Sequence, residues 1–225
     1  MKLGIRKRIV SLVVVLSVAI TLFNVSATPT EAKTQYVAEV SIMSDGTSTG
    51  KGKSYGTHSF IYIKNISKNN LSILGLGIRP GKGVTVGTFG NRKDGKGIYL
   101  NLEGKYIREE NAYQGRISLT RRITQKELNK MLGVMKASNK WSETKNCAWF
   151  ATEAWNSIAP KKDKFSWSAI KNPAGLSLKI KKKKGFVYRK KVNVEVSKTY
   201  RVYKKTKKYT KGEMETGGKN KSSSF

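Results

Sequence analysis

The chain contains one cysteine and one histidine, Cys147 and His58. Both lie where a nucleophile and its base would be useful. Cys147 sits in Asn146-Cys147-Ala148-Trp149-Phe150-Ala151, which reads as the opening of an amphipathic helix. His58 sits in Gly56-Thr57-His58-Ser59-Phe60-Ile61-Tyr62-Ile63, which reads as a buried strand. A thiol attacks as its thiolate; its ordinary pKa of about 8.5 falls at a helix N-terminus or beside an imidazolium. The unpaired amides and dipole of a helix start favour an anion there. The same amides can hold an oxyanion during acyl transfer. Together these parts make a minimal mechanism. The imidazole takes the proton, sulfur attacks a carbonyl, and an acyl-enzyme forms and is resolved by water or another acceptor.

The elements that must position this pair follow from periodicity. Phe60, Tyr62 and Ile66 continue the parity of His58. Leu71 to Ile78 reads as a second strand, broken by Arg79-Pro80-Gly81-Lys82-Gly83. Val84 to Phe89 is a third and Ile98 to Leu102 a fourth. Short strands with Gly-rich turns predict an antiparallel sheet. Thr124 with Glu127 forms a capping-box pattern that starts a helix ending near Asn139. A second helix runs from Cys147 to Ile158 and stops before Pro160. Cys147, Phe150, Ala151, Ala154 and Ile158 share its core-facing side. Asn146 either caps that helix or helps an oxyanion, the cap being the simpler role. Pro173-Ala174-Gly175-Leu176 marks a break. Ahead of the strands, Tyr36 to Met43 alternates as a short strand would.

Compartment and charge set the context. Lys2, Arg6, Lys7 and Arg8 precede an apolar run from Ile9 to Phe23, and Val25-Ser26-Ala27 is a small-residue cleavage pattern. This reads as a secretory signal, with a mature chain from near Thr28 and no transmembrane span in it. A single cysteine in a secreted chain cannot form an internal disulfide; it bridges to another chain, stays a reactive thiol, or is buried and inert. Net charge is +31, and residues 179–225 hold 17 Lys+Arg against 3 Asp+Glu. Such density favours polyanions as partners: envelope polymers or lipid headgroups. Nucleic acid is disfavoured by the export signal and by the lack of a recognition motif. No metal or cofactor is expected, because a catalytic zinc needs three protein ligands and no phosphate-cradling loop precedes a helix. The predicted organisation is a signal over 1–27, a leader over 28–54, a domain over 55–178 and a Lys-rich extension over 179–225, disordered from Gly212 to Phe225.

His58-Ser59-Phe60-Ile61-Tyr62-Ile63, followed much later by Asn146-Cys147-Ala148-Trp149-Phe150, resembles the permuted branch of the papain-like thiol hydrolases. That branch includes NlpC-like and lecithin:retinol acyltransferase-like proteins. In ordinary papain-like enzymes the cysteine helix comes first. In the permuted branch the histidine strand comes first and an Asn-Cys-x-x-Phe helix closes the core, the order found here over residues 55–160. The resemblance implies an α+β fold with a small antiparallel sheet packed on the cysteine helix, Cys147 as nucleophile and His58 as base. It also implies amide or ester hydrolysis, or acyl transfer. The branch tends to place the residue that orients the histidine on the next strand, yet Leu71 to Ile78 is almost wholly apolar. Candidates further on are Thr88, Asn101 and Glu103, the last two on one parity of the fourth strand. The expected function is therefore a secreted or envelope-associated cysteine hydrolase acting on a peptide or acyl substrate, with cell-wall peptides the first choice. The alternatives are a non-enzymatic polycationic envelope-binding protein and an acyltransferase or lipid-directed enzyme.

Overall fold

In a computed structural model of the chain, the described residues are 34–47, 57–90, 97–166, 172–203 and 205–208. From Gln35 onward they belong to one compact unit. The architecture is α+β, an antiparallel sheet with helices on it. The strands are β1 (Tyr36–Asp45), β2 (His58–Asn65), β3 (Leu71–Ile73), β4 (Leu76–Ile78), β5 (Gly83–Phe89), β6 (Gly97–Leu100), β7 (Ile117–Thr124), β8 (Val187–Tyr188), β9 (Tyr200–Tyr203) and β10 (Lys205–Lys208). The helices are α1 (Leu102–Glu110), α2 (Gln125–Ala137), α3 (Cys147–Asn156) and α4 (Pro173–Lys181). The main sheet has the order β10-β9-β6-β5-β2-β1-β7-β8, and β3 and β4 form a separate hairpin. No helix among the described residues is long and apolar enough to cross a membrane.

Strand β2 explains the layering. Its residues alternate between two cores and only Lys64 is not buried. Ile61 and Ile63 join the larger core with Phe150, Ala151 and Ala154 of α3 and Leu128, Met131 and Met135 of α2. Phe60 and Tyr62 join the smaller core on the opposite face with Leu102 and Tyr106 of α1, Val192 and Val194. Each fully buried side chain of this size contributes about 1.5–3 kcal/mol, so the two cores hold the sheet from both sides. The α3 stripe is as the periodicity predicts: Phe150, Ala151 and Ala154 are buried, with Cys147 and Ile158 near that limit.

Several expectations change. The segment read as a leader supplies β1, which lies inside the sheet between β2 and β7. The single strand expected over Leu71 to Ile78 is a hairpin turning at Leu74 and Gly75, both at positive φ. The break at Pro173 is instead the start of α4: Asn172 caps it by accepting from the Gly175 amide, and proline occupies the first turn. The fourth strand ends at Leu100, because Asn101 adopts a left-handed conformation (φ 61) and α1 begins. The expected signal over 1–27 and the disorder expected from Gly212 to Phe225 lie outside the described residues.

The Lys-rich segment after α4 is partly structural. Residues 189–199 cross the smaller core as a strap. Arg116 donates to the carbonyls of Arg189 and Lys190. Asn101 Nδ2 donates to the carbonyls of Glu195 and Lys198 at 3.2 and 2.9 Å. Arg108 donates to the Val194 carbonyl at 2.5 Å. Val192 and Val194 point inward and are buried, and Val194 packs so closely on α1 that a Cβ at Gly104 would meet it at 2.4 Å.

Candidate active site

Three elements bring side chains together at one end of the sheet. β2 supplies His58, its first residue. α3 supplies Cys147, its first residue, and the helix starts there because Asn146 accepts from the Ala148 and Trp149 amides at 3.0 and 3.2 Å. A cap of this kind is worth about 1 kcal/mol. α1 supplies Glu103. The left-handed Asn101 turns the chain back over β5, and Thr85 pins it there: its amide donates to Asn101 Oδ1 at 3.2 Å and its hydroxyl accepts from the Gly104 amide at 3.1 Å.

The thiol of Cys147 and the ring of His58 share a hydrogen bond. On its other side His58 Nε2 lies 3.0 Å from Glu103 Oε1. His58 and Glu103 are buried, and Cys147 lies at the margin of burial. A proton on Nε2, held by Glu103, leaves Nδ1 as the nitrogen that can take a proton. The electrostatics of the pair run in opposite directions. Burial alone would lower the His58 pKa, but the Cys147 charge and hydrogen bond, followed by those of Glu103, raise it to about 10. Burial alone would raise the Cys147 pKa, but the His58 charge and hydrogen bond and the amides of Ser59 and Ala148 bring it below its ordinary value. The arrangement therefore favours thiolate and imidazolium over thiol and imidazole.

The walls are aromatic. Phe89 stacks on the imidazole with ring centroids 4.4 Å apart, and Tyr113 tilts against it at 5.5 Å. Tyr113 is held at φ 53, a left-handed conformation that a bulky residue rarely adopts. Arg116 keeps it there through its amide and Nη1, both donating to the Tyr113 carbonyl. Burial, with the Glu103 charge next, pushes the Tyr113 hydroxyl well above its ordinary range. Glu103 Oε2 is buried without a hydrogen-bond partner, a state that costs about 1–3 kcal/mol and concentrates at functional sites.

Among the residues predicted from sequence, Cys147, His58 and Glu103 come together. Asn101 does not: its amide is spent on Thr85 and the strap, so it positions α1 and does not touch the imidazole. Glu103 and Asn101 part company because they do not share a strand: Asn101 is the left-handed residue that precedes α1, and Glu103 lies in the first turn of that helix. Asn146 has the capping geometry. Thr88 is buried with its hydroxyl unpaired. Trp155 is buried, with its indole N–H donating to the Asp163 carbonyl. Trp141 packs over Gly90, where a Cβ would meet its ring at 2.2 Å.

One position that shapes the site escapes the sequence reading. A Cβ on Gly87 of β5 would lie 1.8 Å from Glu103 Oε1 and 3.1 Å from His58 Nε2. Only glycine leaves room for that contact. The available signal was a glycine inside a β-branched strand, Val84-Thr85-Val86-Gly87-Thr88, which marks a close approach. Among the described residues no group of three or more His, Cys, Asp or Glu side chains converges to hold a metal ion. Comparison with protein-family models, with curated proteins and with solved structures finds no match, so the site's chemistry rests on its own geometry.

Proposed function

We propose that this protein is a secreted cysteine hydrolase of permuted papain-like architecture that cleaves an amide bond, with cell-wall peptides as its substrate class. The observation that carries the reading is the buried line of Cys147, His58 and Glu103, in which the thiol pKa falls and the imidazole pKa rises. A redundant cysteine and histidine have no reason to meet in this way, and this favours an enzyme over a purely adhesive protein.

The chemistry follows from the pair. The Cys147 thiolate adds to the carbonyl carbon, and the oxyanion forms near the start of α3. The cap engages the Ala148 and Trp149 amides, so the Cys147 amide is the donor assigned to the oxyanion. The imidazolium gives its proton to the leaving nitrogen as the C–N bond breaks, producing a thioester. Water then attacks while His58 takes its proton; the C–S bond breaks and the thiolate returns. Glu103 keeps the ring oriented and its charge compensated throughout.

The test is turnover of peptidoglycan stem peptides by wild type and Cys147→Ser. Loss of hydrolysis with an unchanged circular dichroism spectrum is expected. Wild-type turnover in the serine variant would remove Cys147 as the nucleophile.

A further inference from the structure

Apart from the active site, one corner of the molecule combines two properties that rarely coincide. Four large hydrophobic side chains are exposed among the described residues, and three of them, Leu178, Val187 and Tyr188, lie on α4 and β8. The same corner is strongly basic. The sequence contains no acidic residue between Asp163 and Glu195. Lys181, Lys182 and Lys184 are exposed at the end of α4 and just beyond it. Lys161, Lys162 and Lys164 are exposed on the preceding short helix (Lys161–Asp163) and its exit, beside the half-buried Asp163.

Contacts bind these segments into one surface. Lys183 Nζ donates to the carbonyls of Lys162 and Lys164, drawing the two lysine groups together. The Lys181 ammonium lies 5.6 Å from the centre of the Tyr188 ring. Leu178 precedes Lys181 by three residues, so both project from one side of α4. Phe186 packs edge-on to Tyr188 at 5.4 Å. The result is an exposed apolar and aromatic patch surrounded by ammonium groups.

We infer that this corner docks the protein on an anionic bilayer, with Leu178 and Tyr188 entering the headgroup boundary and the lysines meeting acidic headgroups. A soluble polyanion would use the lysines alone and leave the apolar side chains in water. An interfacial site uses both, since apolar burial and headgroup attraction add. Aromatic rings with polar tips such as tyrosine suit that depth. The register relates the patch to the active site. Tyr188 pairs with Ile117, Ile117 with Ser44, and Ser44 with Ser59, whose amide points at the Cys147 sulfur. Three strand spacings, about 14 Å in all, separate the docking strand from the thiol's end of the sheet. The inference stands on this surface and is independent of whether Cys147 hydrolyses an amide.

Flotation of the full chain with vesicles tests it. One set is phosphatidylcholine and the other has about a third of its lipid replaced by phosphatidylglycerol. Wild type should partition preferentially onto the anionic set. Lys181→Gln/Lys182→Gln/Lys184→Gln should weaken that partition about a hundredfold, roughly fivefold for each charge. Leu178→Ser/Tyr188→Ser, which leaves the charge unchanged, should weaken it at least tenfold, with Cys147 alkylated at the wild-type rate as the check on folding. If the serine variant floats like wild type, the surface binds by charge alone as any polyanion site does, and the inference is overturned. It is equally overturned if wild type does not distinguish the two vesicle sets.

Discussion

A single methyl group at Gly87 should dismantle the activated thiol. Its φ is not positive, so alanine suits the backbone and the effect is purely steric. The new Cβ would stand 1.8 Å from Glu103 Oε1, and real Cβ contacts essentially never fall below 3.0 Å. The carboxylate must retreat, and its 3.0 Å contact with His58 Nε2 cannot survive a displacement of that size. Losing a charge-assisted hydrogen bond costs about 1.5–3 kcal/mol, or about 10- to 150-fold in the population of the ion pair. The assay is the second-order rate of Cys147 alkylation by iodoacetamide near neutral pH. Gly87→Ala should fall by that factor, and Gly77→Ala, where a Cβ meets nothing within 4 Å, should not change. In a Glu103→Ala background the Gly87→Ala substitution should have a much smaller further effect, because the oxygen it collides with is gone and only the 3.1 Å approach to His58 Nε2 remains. Wild-type alkylation in Gly87→Ala would refute the reasoning, and so would a full additional loss in the double variant.

Two further outcomes follow. Alkylation of Cys147 in wild type should set in below the ordinary thiol range, because the His58 charge lowers it; in His58→Ala only the Ser59 and Ala148 amides still oppose burial, so the onset should move up and the rate at pH 7 should drop at least tenfold. Removing residues 186–225 strips Val192 and Val194 from the smaller core and uncovers Asn101 and Arg116. Two buried valines at about 1.5–3 kcal/mol each, with the strap's hydrogen bonds, approach a typical total stability of about 5–15 kcal/mol, so the truncated chain should lose its cooperative thermal transition.

How far the sequence could be read depends on range. Local signals were legible. The Thr124–Glu127 capping box is formed, with the Thr124 amide donating to Glu127 Oε2 at 2.8 Å, and the α3 stripe is the one its spacing predicts. The proposed nucleophile and base, Cys147 and His58, stood out because each residue type occurs once. Position in the sheet was not. β1 alternates in the same way whether it is an edge or a centre, and its neighbours are fixed by pairings such as Ile42 with Leu119 that no short window contains. Glu103 was found for the wrong reason. Parity on an imagined strand pointed to it, but what delivers it is the left-handed turn at Asn101, and asparagine tolerates that conformation without announcing it. The lysines after α4 obscured the strap, since composition there says solvent while Val192 and Val194 are buried.

The order in which the chain is made gives β1 and the strap a shared consequence. β1 is among the first of these segments to be synthesised and must wait for β7, some 75 residues later, to gain its second neighbour. The strap that holds Asn101 and α1 comes later still. Contacts this distant in sequence close slowly and late. An incomplete chain therefore has no seated Glu103 and no oriented imidazole, and its cysteine has the reactivity of an ordinary thiol. If Cys147 is the proposed nucleophile, its activation waits on the segments of the chain that are made last.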